Sequence, residues 1–269
     1  MGWKPRIARS LPSSWRESAV LGAGAGLLNG LIALGGGIVI TPVLVGRRRV
    51  PPQVAVGTSL AAVAMLSTIG FVFHFSVGGL IVGPGAIVLS VVSGCVGAVV
   101  GAKLLAKITP RWMLMLFGAF ILVVAIRLVV QGLGLGFGRD EIEVAVPMSS
   151  FALFGFVSGM LSGVFGVGGG ALVLLGLAAF YGLPVQEGLP LALALNVSNA
   201  LIGLVGHARA GRVLCGEVKV LIPTAIIGVA LGAWLAQQLP ADAMRIIFGV
   251  FFLYTGVRIG RQGLHRVEH

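Results

Sequence analysis

The chain has 269 residues, of which 57% are hydrophobic and only 10% are charged, whereas about 25% of the residues of soluble domains are charged. Its mean hydropathy is +1.06, and apolar stretches of the ~20 residues that a helix needs to cross a bilayer recur along the whole sequence. This composition excludes an ordinary water-soluble fold. The net charge of +11 does not indicate nucleic-acid binding, because the basic residues lie between the apolar stretches and are not interleaved with aromatic residues.

An internal repeat divides the chain into two halves. The segment GAGAGLLNGLIALGGG at residues 22–37 returns as GFVSGMLSGVFGVGGG at residues 155–170, which is an offset of 133 residues, and His74 matches His207 at the same offset. The predicted organisation is a basic cytoplasmic N-terminus (1–17), a first membrane repeat (18–131), an extracytoplasmic polar linker (132–148), a second membrane repeat (149–261) and a cytoplasmic tail (262–269).

Each half is predicted to contain two short apolar stretches around a triple glycine, followed by three longer transmembrane helices. In chain order, the apolar stretches of the first half are residues 18–34, 38–45, 54–75, 80–106 and 112–130. Those of the second half are residues 151–167, 171–180, 189–205, 220–239 and 244–259. We therefore predict an all-α polytopic membrane protein.

Loop charge indicates whether each glycine-centred pair of stretches crosses the membrane once or turns back as a hairpin. With a cytoplasmic N-terminus, a single crossing places seven of the 19 lysines and arginines outside, whereas a hairpin places only Arg127, Arg139 and Arg245 outside. Cytoplasmic loops are enriched in basic residues, which favours the hairpin. Each half then has an odd number of crossings, so the halves form inverted repeats and both termini lie in the cytoplasm.

The two glycine turns are candidate anion sites. A hairpin over residues 18–45 has ~42 Å of helix, so each arm reaches about two-thirds of the way through the ~30 Å hydrocarbon core. Irregular backbone at that depth needs protein or a water-lined cavity around it, and free amides at a helix start attract anions. The candidate residues are Gly35, Gly36, Gly37, Gly168, Gly169 and Gly170. The alternative is close packing, which the four-residue spacing of Gly22, Gly26 and Gly30 favours, either inside the chain or at a homodimer face.

Neutral polar residues before the turns and on the long apolar stretches after them are the other candidate substrate contacts, because amides and hydroxyls donate hydrogen bonds to an oxyanion without burying a charge. They are Asn29, Thr58, Ser59, Ser162, Asn196 and Asn199. Hydrogen bonding between helices is the alternative role. His74 and His207 are candidates for proton coupling, with a position at the membrane interface as the alternative.

Several activities lack the residues they need. All eight acidic residues fall outside the apolar stretches or at their edges, so no buried carboxylate is expected. This disfavours cation transport and acid–base catalysis. No metal or cofactor motif is present, and Cys95 and Cys215 have no metal-binding or redox spacing. The sequence therefore predicts neither an enzyme nor a bound cofactor.

The duplicated turns resemble those of the TauE/SafE family of sulfite exporter-like permeases. The resemblance lies in LLNGLIALGGGIVITPVLV and GMLSGVFGVGGGALVLL, with PPQVAVGTSLAAV and PVQEGLPLALALNVSN after them, and it covers the chain from Ser18 onward. Thr41 and Pro42 correspond to Leu174 and Leu175, so the turns are not strictly symmetric. The resemblance implies transport of a sulfur-containing anion, such as sulfite, sulfoacetate or a related organosulfonate, across the cytoplasmic membrane.

The leading hypothesis is thus an anion permease that works by alternating access around a midplane site. The alternative is a membrane-embedded scaffold or assembly protein in which the glycines only pack helices.

Overall fold

A computed structural model describes residues 15–46, 48–78, 82–104, 110–135, 146–165 and 168–265. Parts of all five predicted regions lie outside the described residues: 1–14 of the N-terminus, 47, 79–81 and 105–109 of the first repeat, 136–145 of the linker, 166–167 of the second repeat and 266–269 of the tail.

The described residues form ten α-helices and no strand, which confirms the all-helical prediction. The helices of the first half are α1 (Trp15–Ile32), α2 (Gly37–Gly46), α3 (Pro52–Gly78), α4 (Pro84–Leu104) and α5 (Pro110–Gly132). Those of the second half are α6 (Met148–Phe165), α7 (Gly170–Tyr181), α8 (Val185–Arg209), α9 (Cys215–Gln238) and α10 (Ala241–His265). Helices α3 and α4 begin at a proline, a residue that suits the first helical position because no partner is needed for its missing N–H.

Within the described residues, four helices are long and apolar enough to cross a membrane: residues 53–76 of α3, 84–101 of α4, α8 and α9. The sequence also predicts crossings by α5 and α10. These helices have 23 and 25 residues, and their crossing of the membrane remains a prediction.

Each half packs mainly against the other half. The first hairpin helix α1 lies along α9, and its counterpart α6 lies along α4. The equivalent helices α3 and α8 form a third pair, and α5 and α10 form a fourth. In the α3–α8 pair, Gly70 faces Leu193 and Gly57 faces His207, so these two helices run antiparallel. The main helix pairs of the protein therefore combine one helix from each half, and the two halves enclose a common interior.

Glycines allow the close approach of the hairpin helices to their partners. Gly26 of α1 lies against the carbonyl of Ala225 in α9, and Gly159 of α6 lies against the carbonyl of Gly94 in α4. A Cβ at either glycine would overlap that carbonyl. The stripe of Gly22, Gly26 and Gly30 is thus used for packing inside the chain.

One buried carboxylate was not expected. Glu217, in the first turn of α9, is only 8% exposed and forms an ion pair with Arg48 of the α2–α3 connection. Ser18 of α1 donates a hydrogen bond of 2.8 Å to the same carboxylate and accepts one of 3.0 Å from Arg48. The expectation that no carboxylate is buried is wrong, because an arginine from the other half supplies the countercharge that burial requires.

In each hairpin, a polar contact joins the beginning of the first helix to the end of the second, opposite the glycine turn. Arg48 meets Ser18 at the end of the first hairpin, and Ser150 donates a 2.6 Å hydrogen bond to the Tyr181 hydroxyl at the end of the second. Arg48 and Tyr181 are separated by the repeat offset of 133 residues. The two hairpins are therefore held together at equivalent positions, and in each of them the glycine turn lies at the opposite end from this contact.

Candidate functional site

The first turn joins α1 to α2 through residues with left-handed backbone. Gly35 and Gly36 have φ of 73° and 69°, and Ala33 has φ of 48°. Left-handed backbone is strained for most side chains but not for glycine, which explains the glycines here. Asn29, in the last turn of α1, holds the turn: its Oδ1 accepts a hydrogen bond of 2.8 Å from the Gly35 N–H and one of 3.3 Å from the Ser67 hydroxyl.

The second turn precedes α7 and is held by different side chains. Gly168 and Gly169 have φ of 84° and 83°. Asn199 Nδ2 donates to the Gly168 carbonyl at 2.8 Å, and Ser158 Oγ donates to the Gly169 carbonyl at 2.6 Å. A Cβ on Gly168 would lie 2.6 Å from Asn196 Oδ1, so a larger residue at 168 would push this asparagine aside.

Asn196 of α8 connects the two turns. Its Nδ2 donates to the Ala33 carbonyl of the first turn at 2.7 Å, and its Oδ1 accepts from the Gly170 N–H of the second turn at 2.7 Å. The side chain is fully buried. The structure thus brings the two glycine turns, which are 133 residues apart in sequence, to one place in the interior of the protein.

Some buried polar atoms around the turns have no partner. They are Asn29 Nδ2 and Asn199 Oδ1, which belong to side chains that each bond a turn through their other amide atom. Among the described residues, the N–H groups of Gly36 and Gly37 likewise have no acceptor. Leaving a buried polar group unpaired costs about 1–3 kcal/mol, and such groups are rare in folded proteins. The unpartnered donors at the first turn, which are Asn29 Nδ2 and the N–H groups of Gly36 and Gly37, favour a polar ligand there.

Of two further predicted contacts, one lies at a turn and the other does not. The Thr58 hydroxyl donates to the Val54 carbonyl at 2.7 Å and accepts from the Leu214 N–H at 3.0 Å, so it ties α3 to the α8–α9 connection. Ser162 is buried against Gly169: a Cβ added to this glycine would lie 3.1 Å from the Cβ of Ser162. The structure therefore places Ser162 at the second turn and Thr58 away from both turns.

The two histidines are not neighbours. His74 is buried, with Nε2 at 3.0 Å from the Gly30 carbonyl of α1. His207 lies against Gly57 near the opposite end of α3. The 17 residues from Gly57 to His74 correspond to ~26 Å of helix. The two side chains are too far apart to pass a proton directly to each other.

Sequence reasoning missed Ser158 and the Ala33 carbonyl. Ser158 lies four residues before Ser162, on the same face of α6, and this spacing was the available signal. The repeat did not point to it, because the equivalent residue in the first half is Ala25. The Ala33 carbonyl is a backbone atom, so no residue type marks it in the sequence.

The turns are surrounded by neutral hydrogen-bonding groups. Every described hydrogen bond to residues 33–36 and 168–170 comes from backbone, an asparagine or a serine. Within the described part of the chain, no cluster of three or more histidine, cysteine or acidic side chains could hold a metal ion. Such an environment can bind a small anion by hydrogen bonds alone, since no carboxylate bonded to the turns repels it.

Comparison with known proteins identifies the family. The chain is 27% identical to the probable membrane transporter protein YunE of Bacillus subtilis, over 91% of this chain and 97% of that protein. It is 26% identical to the probable membrane transporter protein MJ0441 of Methanocaldococcus jannaschii, over 87% and 92% of the two chains, and 26% identical to the probable inner membrane transporter protein TsaS of Comamonas testosteroni, over 61% and 66%. No solved structure matches it significantly. Residues 18–259 match the profile of the sulfite exporter TauE/SafE family, so the chain is a multi-pass membrane transporter that belongs to this family.

Proposed function

We propose that the protein moves a small sulfur-containing anion, such as sulfite, sulfoacetate or a related organosulfonate, across the cytoplasmic membrane by alternating access. The substrate site is the region where the two glycine turns meet. The observation that carries this proposal is the Asn196 side chain, which bonds Ala33 of one turn and Gly170 of the other. Interrupted helices that meet in a buried interior are typical of substrate sites in secondary transporters.

The chemistry of the site favours an anion. The unpartnered Asn29 Nδ2 and the N–H groups of Gly36 and Gly37 are hydrogen-bond donors. The start of α2 adds the positive end of its helix dipole. The buried carboxylate of Glu217 is hydrogen-bonded to Ser18 and Arg48, not to either turn. The family description, sulfite exporter, supports sulfur-containing oxyanions as the substrate class.

The helix packing supports an inverted repeat. A helix and its counterpart that pack antiparallel are related by a two-fold axis perpendicular to both, as in α3 and α8, where Gly70 faces Leu193 and Gly57 faces His207. If that axis lies in the membrane plane, the halves have opposite orientations across the bilayer. Movement of the halves against each other would then expose the central site to one side at a time.

The proposed orientation places both termini in the cytoplasm. Ser18, Arg48 and Glu217 bring the beginning of α1, the α2–α3 connection and the beginning of α9 to one end of the protein. The basic residues Arg209, Arg212 and Lys219 lie at or near the α8–α9 connection at this end. Basic loops face the cytoplasm in most membrane proteins.

Flux into proteoliposomes tests the proposed function. The purified chain is reconstituted, and uptake of labelled sulfite and sulfoacetate is measured with and without an imposed pH gradient, against protein-free liposomes. We expect saturable uptake. A dependence on the gradient would indicate proton coupling and direct attention to His74 and His207, whereas uptake without it would indicate facilitated diffusion.

The Ser90→Ala variant is a matched control. Ser90 is fully buried in α4 and donates a 3.1 Å hydrogen bond to the Phe151 carbonyl, outside both turns, so its uptake should equal that of the wild type within about twofold. Absence of uptake of every sulfur-containing anion, together with stable binding of a soluble partner protein, would overturn the permease and favour the scaffold.

A further inference from the structure

The unpartnered side-chain atom beside the first turn is a hydrogen-bond donor, whereas the one beside the second turn is an acceptor. Asn29 and Asn199 are both buried, and each has one amide atom bonded to a turn and one atom without a partner. Asn29 faces an N–H of Gly35, which requires the amide oxygen at that place and leaves the NH₂ free. Asn199 faces a carbonyl of Gly168, which requires the NH₂ there and leaves the oxygen free. The first turn thus offers a donor, and the second an acceptor.

Donors converge at the first turn. Asn29 Nδ2 is about 2.3 Å from Oδ1 by amide geometry, and Oδ1 is 2.8 Å from the Gly35 nitrogen. The free donor therefore lies within about 5 Å of that nitrogen. The next two N–H groups, of Gly36 and Gly37, have no acceptor among the described residues. Gly36 has left-handed backbone and Gly37 begins the ten-residue helix α2, and successive N–H groups in such a turn can form an anion-binding concavity.

The second turn has no free side-chain donor, although the N–H groups of Gly168 and Gly169 also have no acceptor among the described residues. Both amide atoms of Asn196 are used, and the N–H of Gly170 is already bonded to Asn196 Oδ1. The free oxygen of Asn199 is 3.5 Å from the position of a Cβ on Gly94, so it faces the contact with α4. A carbonyl oxygen repels an anion. The second turn therefore positions the first one through Asn196 and does not itself offer free side-chain donors.

We infer that the anion binds at the first turn alone, with Asn29 Nδ2 and the N–H groups of Gly36 and Gly37 as donors to its oxygen atoms. Asn196 is a positioning residue. This inference rests on the proposed function and narrows it, because the site then recognises a head group that only accepts hydrogen bonds, such as deprotonated sulfite or the SO₃⁻ group of an organosulfonate.

The test compares Asn29→Asp and Asn29→Ser with the wild type. Asn29→Asp keeps an oxygen for the Gly35 N–H but replaces the free NH₂ with a second oxygen. Asn29→Ser introduces the residue type that the second half has at the equivalent position, Ser162. This side chain carries no charge, so the variant serves as the test if the buried aspartate prevents folding. Methanesulfonate is the probe because its charge is constant between pH 5 and pH 8, and sulfite is measured beside it. Binding to the purified full chain in detergent is measured by calorimetry, with Ser90→Ala as the control.

We expect both Asn29 variants to raise the Kd for methanesulfonate at least about tenfold at pH 8, since hydrogen bonds to charged groups are the strong ones. For Asn29→Asp the loss should shrink at pH 5, because burial favours the neutral carboxyl as the pH falls and a protonated carboxyl again donates to the anion. A merely structural role of Asn29 does not predict this recovery. Ser90→Ala should keep the wild-type Kd.

Two results would overturn the inference and can be told apart. If the wild type binds the anions and both monodisperse Asn29 variants bind them equally well, the first-turn site is wrong while the proposed function stands. If the wild type binds neither anion and transports no sulfur-containing anion, the inference and the proposed function both fail.

Discussion

Asn196→Ala is the sharpest test of how the two turns are held together. The substitution removes two buried hydrogen bonds of 2.7 Å, one to each turn. Interhelical hydrogen bonds in membrane proteins contribute about 0.6 kcal/mol on average and about 1.7 kcal/mol at most. Two such bonds correspond to a loss of about 1.2 to 3.4 kcal/mol in the free energy of unfolding. The upper part of this range is expected, because the Gly170 N–H and the Ala33 carbonyl are left without a partner in the interior.

Two neighbouring substitutions on α8 calibrate this effect. Asn199→Ala removes one hydrogen bond, of 2.8 Å to Gly168, and should lower the stability by about half as much. Ser198→Ala removes only a hydrogen bond of the helix to itself, to Ala194, and should change the free energy of unfolding by less than about 0.5 kcal/mol.

The assay is reversible unfolding of the purified protein in mixed micelles at increasing SDS content, followed by circular dichroism. The expected order of destabilisation is Asn196→Ala, then Asn199→Ala, then Ser198→Ala. If Asn196→Ala were no less stable than Ser198→Ala, the proposed connection between the turns would be refuted.

Three further predictions concern packing, charge and orientation. Gly26→Ala should lower the free energy of unfolding by about 1–3 kcal/mol because its Cβ overlaps an α9 carbonyl; Gly24→Ala, with open space at the same helix, should be neutral or slightly stabilising in the same SDS assay. Glu217→Gln should destabilise by about 3–5 kcal/mol, since Arg48 is then buried without its countercharge; the double variant with Arg48→Gln should recover part of this loss, and no recovery would contradict the pairing. Cys215, which is exposed, should react with a membrane-impermeant maleimide in inverted vesicles but not in intact cells, and the reverse pattern would contradict cytoplasmic termini.

The repeat made much of the fold accessible from the sequence. Ten apolar stretches were expected, and the described residues form ten helices at those places. The two glycine turns follow α1 and α6 in the corresponding places of the two halves. Helix length and hydrophobicity are local properties of a chain in a bilayer, so they can be recognised without knowledge of the partners.

The candidate site was only partly predictable. The sequence singled out Asn29 by its place before the first glycine turn and Asn196 by its place on a polar face of its helix. Whether such an amide is free or bonded depends on atoms far away in the chain, such as the Ala33 carbonyl that Asn196 reaches across 163 residues. The buried Glu217 was missed for the same reason, because its partner Arg48 is 169 residues away.

The sequence by itself determined that this is a helical membrane protein with two similar halves and two glycine turns. Composition, apolar stretch length and an internal repeat are sufficient for that, since the bilayer imposes the same helix on every crossing segment. The tertiary structure decided which atoms of the turns are satisfied and which are free. In the folded chain, both amide atoms of Asn196 form hydrogen bonds that join the turns, whereas the NH₂ of Asn29 has no partner. Hydrogen bonds depend on distance and direction in space, and the packing of one half against the other sets both.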